Sequence, residues 1–155
     1  MRRKTGSRYI TGLAVLLLLF VVSDWRVQSA ETSDPAGEAQ SEKLRAVTPR
    51  EALELVQRNR DNPNFVILDV RTPEEFEGSH IEGAVNMDYY HPGFQVELGK
   101  LDKTKRYLVY CRTGNRSDTA FEFMKELRFK EVYPLEGGIL AWGAAGFPVA
   151  GQKHQ

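Results

Sequence analysis

The only cysteine in the 155-residue chain, Cys111, stands where a thiol's chemistry would be strongest. It ends an apolar run, Tyr107-Leu108-Val109-Tyr110, and opens a polar loop, Arg112-Thr113-Gly114-Asn115-Arg116. A helix is predicted to follow from Ser117 to Leu127. A thiol that leaves a buried strand and faces a helix N-terminus meets free backbone N–H groups and the positive end of the helix dipole, and both favour an anion. Arg112 and Arg116 act in the same direction, so the thiolate is expected to be stabilised and its pKa lowered. Strand, cysteine, short glycine-containing loop and helix together describe a nucleophile in an anion cradle. A structural core cysteine is the competing reading. Charge and glycine rather than apolar residues border Cys111, which places the thiol outside the expected core.

The rest of the loop supplies donors. Successive amides between Arg112 and Ser117, Thr113 among them, can converge on one anionic atom. Gly114 allows a close backbone approach or a positive φ. Arg112 and Arg116 are equal candidates for attracting an anionic substrate and offsetting its charge. Asn115 is a further candidate. Ser117 reads as a helix N-cap rather than a catalytic hydroxyl.

Alternating elements must position this loop. Thr48-Pro49-Arg50-Glu51 carries a capping box and an early proline, predicting a helix to about Arg58 with Ala52, Leu53, Leu55 and Val56 on one face. Phe65-Val66-Ile67-Leu68 is a short unbroken apolar run, as in a buried parallel strand. Thr72-Pro73-Glu74-Glu75 repeats the capping box and opens a one-turn helix through Phe76. Strands are predicted at 83–86, 106–110 and 131–135, with helices at 94–101 and 138–145. Ala120, Phe121, Phe123, Met124 and Leu127 form the inner face of the helix after Cys111. Strands separated by helices imply an α/β fold with a parallel sheet covered on both faces. In such sheets the site lies beyond the carboxyl ends of the strands, where both Cys111 and Asp69 fall.

The two ends have another character. Arg2, Arg3, Lys4 and Arg8 precede an almost wholly apolar stretch from Ile10 to Val22, followed by Ser23, Asp24, Trp25 and Arg26. That order describes a secretory signal peptide over 1–30, and the thirteen-residue run is short of the roughly 20 residues a spanning helix needs. An uncleaved N-terminal anchor is the alternative. Either way the domain is exported, with the bacterial periplasm as the expected compartment. Residues 31–45 are rich in Ser, Glu, Ala, Gly and Pro and read as a disordered linker. The globular domain is expected over 46–151, with a tail at 152–155.

Segment 1–30 holds five of the 21 basic residues and one of the 21 acidic ones, so the remainder has a net charge of −4. A mildly acidic domain gives no electrostatic case for nucleic acid, and membrane association is expected only if the N-terminal segment is uncleaved. One cysteine permits no internal disulfide, so the core alone must hold the fold. His91 and His154 lack a ligand pattern; neither a metal site nor a cofactor is expected. His80 reads as a hydrogen-bonded structural histidine and Trp142 as core. Tyr89 and Tyr90 either line a pocket mouth or simply pack.

Several ordered motifs resemble the rhodanese family. Val66-Ile67-Leu68-Asp69-Val70-Arg71, Glu75-Phe76 and His80-Ile81-Glu82-Gly83-Ala84-Val85-Asn86 are similar to its D-V-R and H-I-x-G-A-x-N signatures. Leu108 to Ser117 resembles its active-site loop. Leu135-Glu136-Gly137-Gly138, Trp142 and Gly146-Phe147-Pro148-Val149 resemble its closing segment. The likeness covers about 46–151, with one departure: Ser79 precedes His80 where the family usually has Gly. It implies a five-stranded parallel sheet flanked by helices on both faces, and sulfur transfer through a Cys111 persulfide. The implied partners are a thiosulfate-like donor and a cyanide or thiol acceptor, and the implied kinetics are ping-pong. Asp69 and Arg71 would support the loop through an ion pair, or merely cap the strand end.

Two rival functions remain. Cysteine phosphatases, including some of this fold, carry Cys-x5-Arg, a ring wide enough for a tetrahedral phosphate. Here Cys111 to Arg116 is Cys-x4-Arg, a tighter ring suited to one sulfur atom. A non-enzymatic sulfur-carrier or binding module is the other rival; such modules can dispense with the thiol, which this chain keeps.

Overall fold

The computed structural model describes residues 43–151. The predicted signal peptide or anchor, most of the linker and the C-terminal tail lie outside those residues. Within them, helices and strands alternate as α1 (Pro49–Arg58), β1 (Phe65–Asp69), α2 (Pro73–Gly78), β2 (Ala84–Asn86), α3 (Phe94–Lys100), β3 (Arg106–Tyr110), α4 (Asn115–Glu126), β4 (Glu131–Pro134) and α5 (Gly138–Ala144). Both capping boxes are formed: the Thr48 and Thr72 hydroxyls accept from the Glu51 and Glu75 amides, and each glutamate reaches back to its threonine's N–H.

The strands lie in the order β2-β1-β3-β4 and pair in parallel throughout. The five strands implied by the family likeness become four among the described residues. Beside β4 the fifth position is held by two isolated parallel bridges, Leu44 to Val132 and Val47 to Leu135. Leu44 belongs to the stretch read as linker, yet it takes part in the sheet and packs on the core. Its neighbour Lys43 forms an ion pair with Glu131 at 3.1 Å.

Alternation along each strand splits the core in two, because successive side chains point to opposite faces. Leu68, Val70, Tyr107, Val109 and Val132 face α3 and α4, meeting Phe94, Leu98, Ala120 and Met124. Ile67, Leu108, Tyr110 and Leu135 face the other way, meeting Ala52 of α1 and Ile139 and Trp142 of α5. Helices therefore cover both faces, and the apolar runs of β1 and β3 are the consequence. From β1 the chain moves to one side of the sheet, and from β3 to the other. The crevice beyond the carboxyl ends of β1 and β3 is thus the topological switch point, and Cys111 is the residue next after β3.

Candidate active site

Cys111 extends the alternation of β3 by one place, onto the face packed by α4. Tyr107, Val109 and Cys111 belong to the same core cluster, and Cys111 is only 1% exposed. This corrects the expectation of a thiol outside the core: the side-chain periodicity of the strand carries past its last paired residue. The sulfur nonetheless has polar neighbours. Gly114 donates its amide to Sγ at 3.1 Å, and the Thr113 and Ser117 backbone amides lower its pKa in the same way. Burial pushes the thiol pKa up, but the hydrogen bonds from Ser117, Thr113 and Gly114 outweigh it and hold the value below that of an ordinary thiol. Donors from the loop and the first turn of α4 thus favour negative charge on this one atom.

Backbone geometry explains why the loop can close so tightly. Gly114 has φ 110°, a conformation an L side chain rarely adopts, and it turns the chain directly into α4. The helix begins at Asn115, two residues before the predicted start. Gly114 is its N-cap, so the reading of Ser117 as the cap is wrong. Ser117 lies inside the first turn and is buried. Its hydroxyl donates to the Gly114 carbonyl at 2.7 Å and stands 3.7 Å from Cys111 Sγ. One hydroxyl hydrogen cannot serve both acceptors at once: donated to Gly114 O it fixes the loop, and rotated toward Sγ it supports the thiolate.

From the other side, the first turn of α5 grips the loop carbonyls. Ile139 N–H donates to Cys111 O at 2.9 Å and Leu140 N–H to Arg112 O at 3.2 Å. With their carbonyls held outward, the peptide groups that follow can aim N–H bonds at the sulfur. Gly138 makes this approach possible, and it escaped the site reading because glycine carries no chemistry of its own.

The two arginines are not equivalent. Arg116 donates from Nη1 to Glu75 Oε2 at 2.7 Å and from Nη2 to Glu75 Oε1 at 3.0 Å, and its guanidinium lies 5.4 Å from the Tyr90 ring centroid. The paired arginine holds the Glu75 carboxyl below the usual carboxylate range, so Glu75 stays ionised at neutral pH. Arg112 is exposed and, among the described residues, forms no ion pair. Thr113 and Asn115 are also exposed and present loop backbone. Tyr90, 66% exposed beside Arg116, belongs to the rim rather than the core; Tyr89 packs on Phe94.

Asp69 and Arg71 do form an ion pair, both nearly fully buried, with Nε at 2.9 Å from each carboxylate oxygen. Arg71 Nη2 also donates to Ser79 O at 2.6 Å, and Asn86 Nδ2 donates to Asp69 O and Arg71 O at 3.0 and 2.8 Å. Arg71 ties the end of β1 to the chain before β2, Asn86 at the end of β2 holds the Asp69 and Arg71 carbonyls, and neither side chain of the pair hydrogen-bonds to residues 111–117. Its connection to the site runs through β3: the Arg71 guanidinium lies 5.6 Å from the Tyr110 ring centroid. His80 is hydrogen-bonded to Phe76 O through Nδ1 at 2.8 Å, matching its structural reading. A recess of about 300 Å³ opens at the opposite end of β1, beside Phe65, Arg60 and Glu82, and contains no nucleophile.

The family model for the rhodanese-like domain matches residues 52–145. The thiosulfate sulfurtransferase GlpE of Coxiella burnetii is 38% identical over 94 residues, covering 61% of this chain and 82% of its own. The probable adenylyltransferase/sulfurtransferase MoeZ of Mycobacterium tuberculosis is 34% identical over 104 residues, which is 67% of this chain but 26% of that protein; the chain spans about a quarter of its length. A crystal structure of a rhodanese-related protein from Thermoplasma volcanium superposes with a TM-score of 0.58 at 29% identity, covering 69% of this chain and 98% of that one.

Proposed function

The chain belongs to the rhodanese-like domain family, and we propose that it moves sulfane sulfur from thiosulfate or a related donor to cyanide or a thiol through a persulfide on Cys111. The observation that carries this reading is the Cys111 sulfur held in the loop, with the Gly114 amide 3.1 Å and the Ser117 hydroxyl 3.7 Å away and its pKa lowered by loop donors. In the first half-reaction the Cys111 thiolate attacks the outer sulfur of the donor. A Cys111 Sγ–S bond forms, the donor's S–S bond breaks, and its electron pair leaves with sulfite. In the second, cyanide attacks the outer sulfur of the persulfide, thiocyanate departs, and the electron pair returns to Cys111 as thiolate. The two steps share one cradle, so the kinetics are ping-pong.

Because Cys111 is almost wholly buried, the donor must deliver its outer sulfur end-on into the loop, with Arg112 at the entrance. A four-residue loop that brings the Gly114 amide within 3.1 Å of a nearly fully buried sulfur leaves little place for three phosphate oxygens, which argues against the phosphatase alternative. Names of relatives that include sulfurtransferase add weight to catalysis over a purely binding module. Export to the periplasm, free or membrane-anchored, remains part of the proposal on the residue order of 1–30.

The test uses purified full-length protein incubated with thiosulfate, followed by intact-mass measurement and a thiocyanate assay. Wild type is expected to gain the mass of one sulfur atom and to release it to cyanide. Cys111→Ser is expected to fold and to do neither. Transfer by that variant at more than trace level would overturn the nucleophile assignment, and absence of any adduct in the wild type would overturn the reaction.

A further inference from the structure

Building on the sulfur-transfer reading, we propose that Glu75 is a specificity-determining residue: by neutralising Arg116 it suits the site to donors with one negative charge beside the sulfane sulfur, such as alkyl thiosulfonates and persulfide anions, over dianionic thiosulfate. Both arginines of the loop would serve a dianion if both were free. Only one is. Glu75 receives two hydrogen bonds from Arg116 at 2.7 and 3.0 Å, and the pair is partly shielded, with side chains 14% and 27% exposed for Arg116 and Glu75. The guanidinium is further occupied by the Tyr90 ring. Around the loop, Arg116 is therefore tied into a neutral couple with Glu75, the Asp118 carboxylate lies beside Gly114, and Arg112 forms no ion pair among the described residues. A second negative charge on the donor finds no second cation.

Glu75 is well placed to play this part without being expendable to the fold. It occupies the third position of α2, where Oε2 accepts from Thr72 N–H at 3.3 Å while both oxygens hold Arg116. Glutamine satisfies the same capping box. Glu75→Gln therefore removes the charge, keeps the helix start, and releases Arg116 as a second cation within the field of Cys111.

The chemistry permits a clean comparison. Methanethiosulfonate differs from thiosulfate by a methyl group in place of one oxygen and by one unit of charge. Attack by the Cys111 thiolate forms the same Sγ–S bond, breaks the donor's S–S bond, and expels methanesulfinate where thiosulfate expels sulfite. Steady-state transfer to cyanide is measured with both donors for wild type, Glu75→Gln and Arg116→Gln, with a melting curve for each.

Wild type is expected to use methanethiosulfonate at least as efficiently as thiosulfate, by kcat/KM. Glu75→Gln is expected to move that ratio toward thiosulfate by roughly fivefold, mostly in KM, with the shift shrinking as salt is added. Arg116→Gln leaves Glu75 uncompensated and should move the ratio the opposite way. A merely structural role would change both donors alike. A ratio unmoved in both variants, or moved in the same direction in both, overturns the inference while leaving sulfur transfer intact. Failure of the wild type to turn over either donor overturns the underlying reading and this one with it.

Discussion

A β-carbon on Gly138 would lie 2.4 Å from the carbonyl oxygen of Cys111. The opposing atom is backbone and cannot swing aside, and Gly138 itself has φ 59°, a region costly for any side chain. The first turn of α5 can thus hold the nucleophile's own carbonyl only because this position is bare. The loop cradle and the start of α5 form one unit, although the sequence between them runs through α4 and β4.

Gly138→Ala is accordingly expected to destabilise the protein by roughly 2–4 kcal/mol and to slow sulfur transfer in the molecules that remain folded. Gly143, in the same helix, has open space around its α-carbon. Gly143→Ala should leave activity unchanged and stability equal or slightly raised, by up to about 1 kcal/mol. Urea unfolding and a thiocyanate assay on the two variants separate a local clash from a general effect of adding methyl groups to α5. Equal behaviour of the two would show that the approach to Cys111 carries no special cost.

A second prediction concerns the thiol itself. Its pKa is lowered because amide and hydroxyl donors outweigh the opposing effect of burial. The reactive thiolate should therefore persist at pH values below those at which an ordinary cysteine is protonated. Alkylation of Cys111 and sulfur transfer should fall only as pH drops through the lowered value. Ser117→Ala deletes one donor and loosens Gly114, so the midpoint of the alkylation profile should move upward. In the linkage sense, a depressed native pKa contributes stability above the unfolded thiol pKa, and that contribution is lost as pH falls through the native one. An alkylation midpoint in Ser117→Ala at or below that of the wild type would remove the hydroxyl from the thiolate's support.

Much of this architecture could be read from residue order. The apolar runs of β1 and β3, the two threonine capping boxes, and the cysteine at a strand's carboxyl end are all local patterns, and the structure keeps them. What escaped was set by partners distant in sequence. Glu75 already had a local explanation in its capping box, while the arginine it grips lies 41 positions later. Ser117 has the residue type of an N-cap, but the positive φ of Gly114 starts α4 two residues earlier. The burial of Cys111 follows from alternation that continues past the last strand residue, whereas the polar sequence after it suggested exposure. The fifth strand position is held by Leu44 and Val47, too few apolar residues to stand out from a polar segment.

The last prediction separates scaffold from chemistry. Asp69 and Arg71 are each at most 4% exposed, and their contacts reach Ser79 and Asn86 rather than the cysteine loop. Removing the carboxylate charge leaves a guanidinium buried without a counter-ion. Asp69→Asn should therefore cost roughly 3–5 kcal/mol of folding stability. Replacing both partners with apolar residues of similar size should cost less than the sum of the single changes, since neither charge is then stranded. If the pair acts only by tying the end of β1 to the chain around β2, the Cys111 alkylation profile of folded Asp69→Asn should match that of the wild type. That variant must be assayed at low temperature, where its folded fraction is largest, with the active fraction counted by stoichiometric alkylation. A thiol midpoint that shifts while stability is preserved would mean that the pair acts on the nucleophile through Tyr110, whose ring lies against Arg71. A large loss of stability with an unchanged midpoint would place Asp69 and Arg71 in the scaffold.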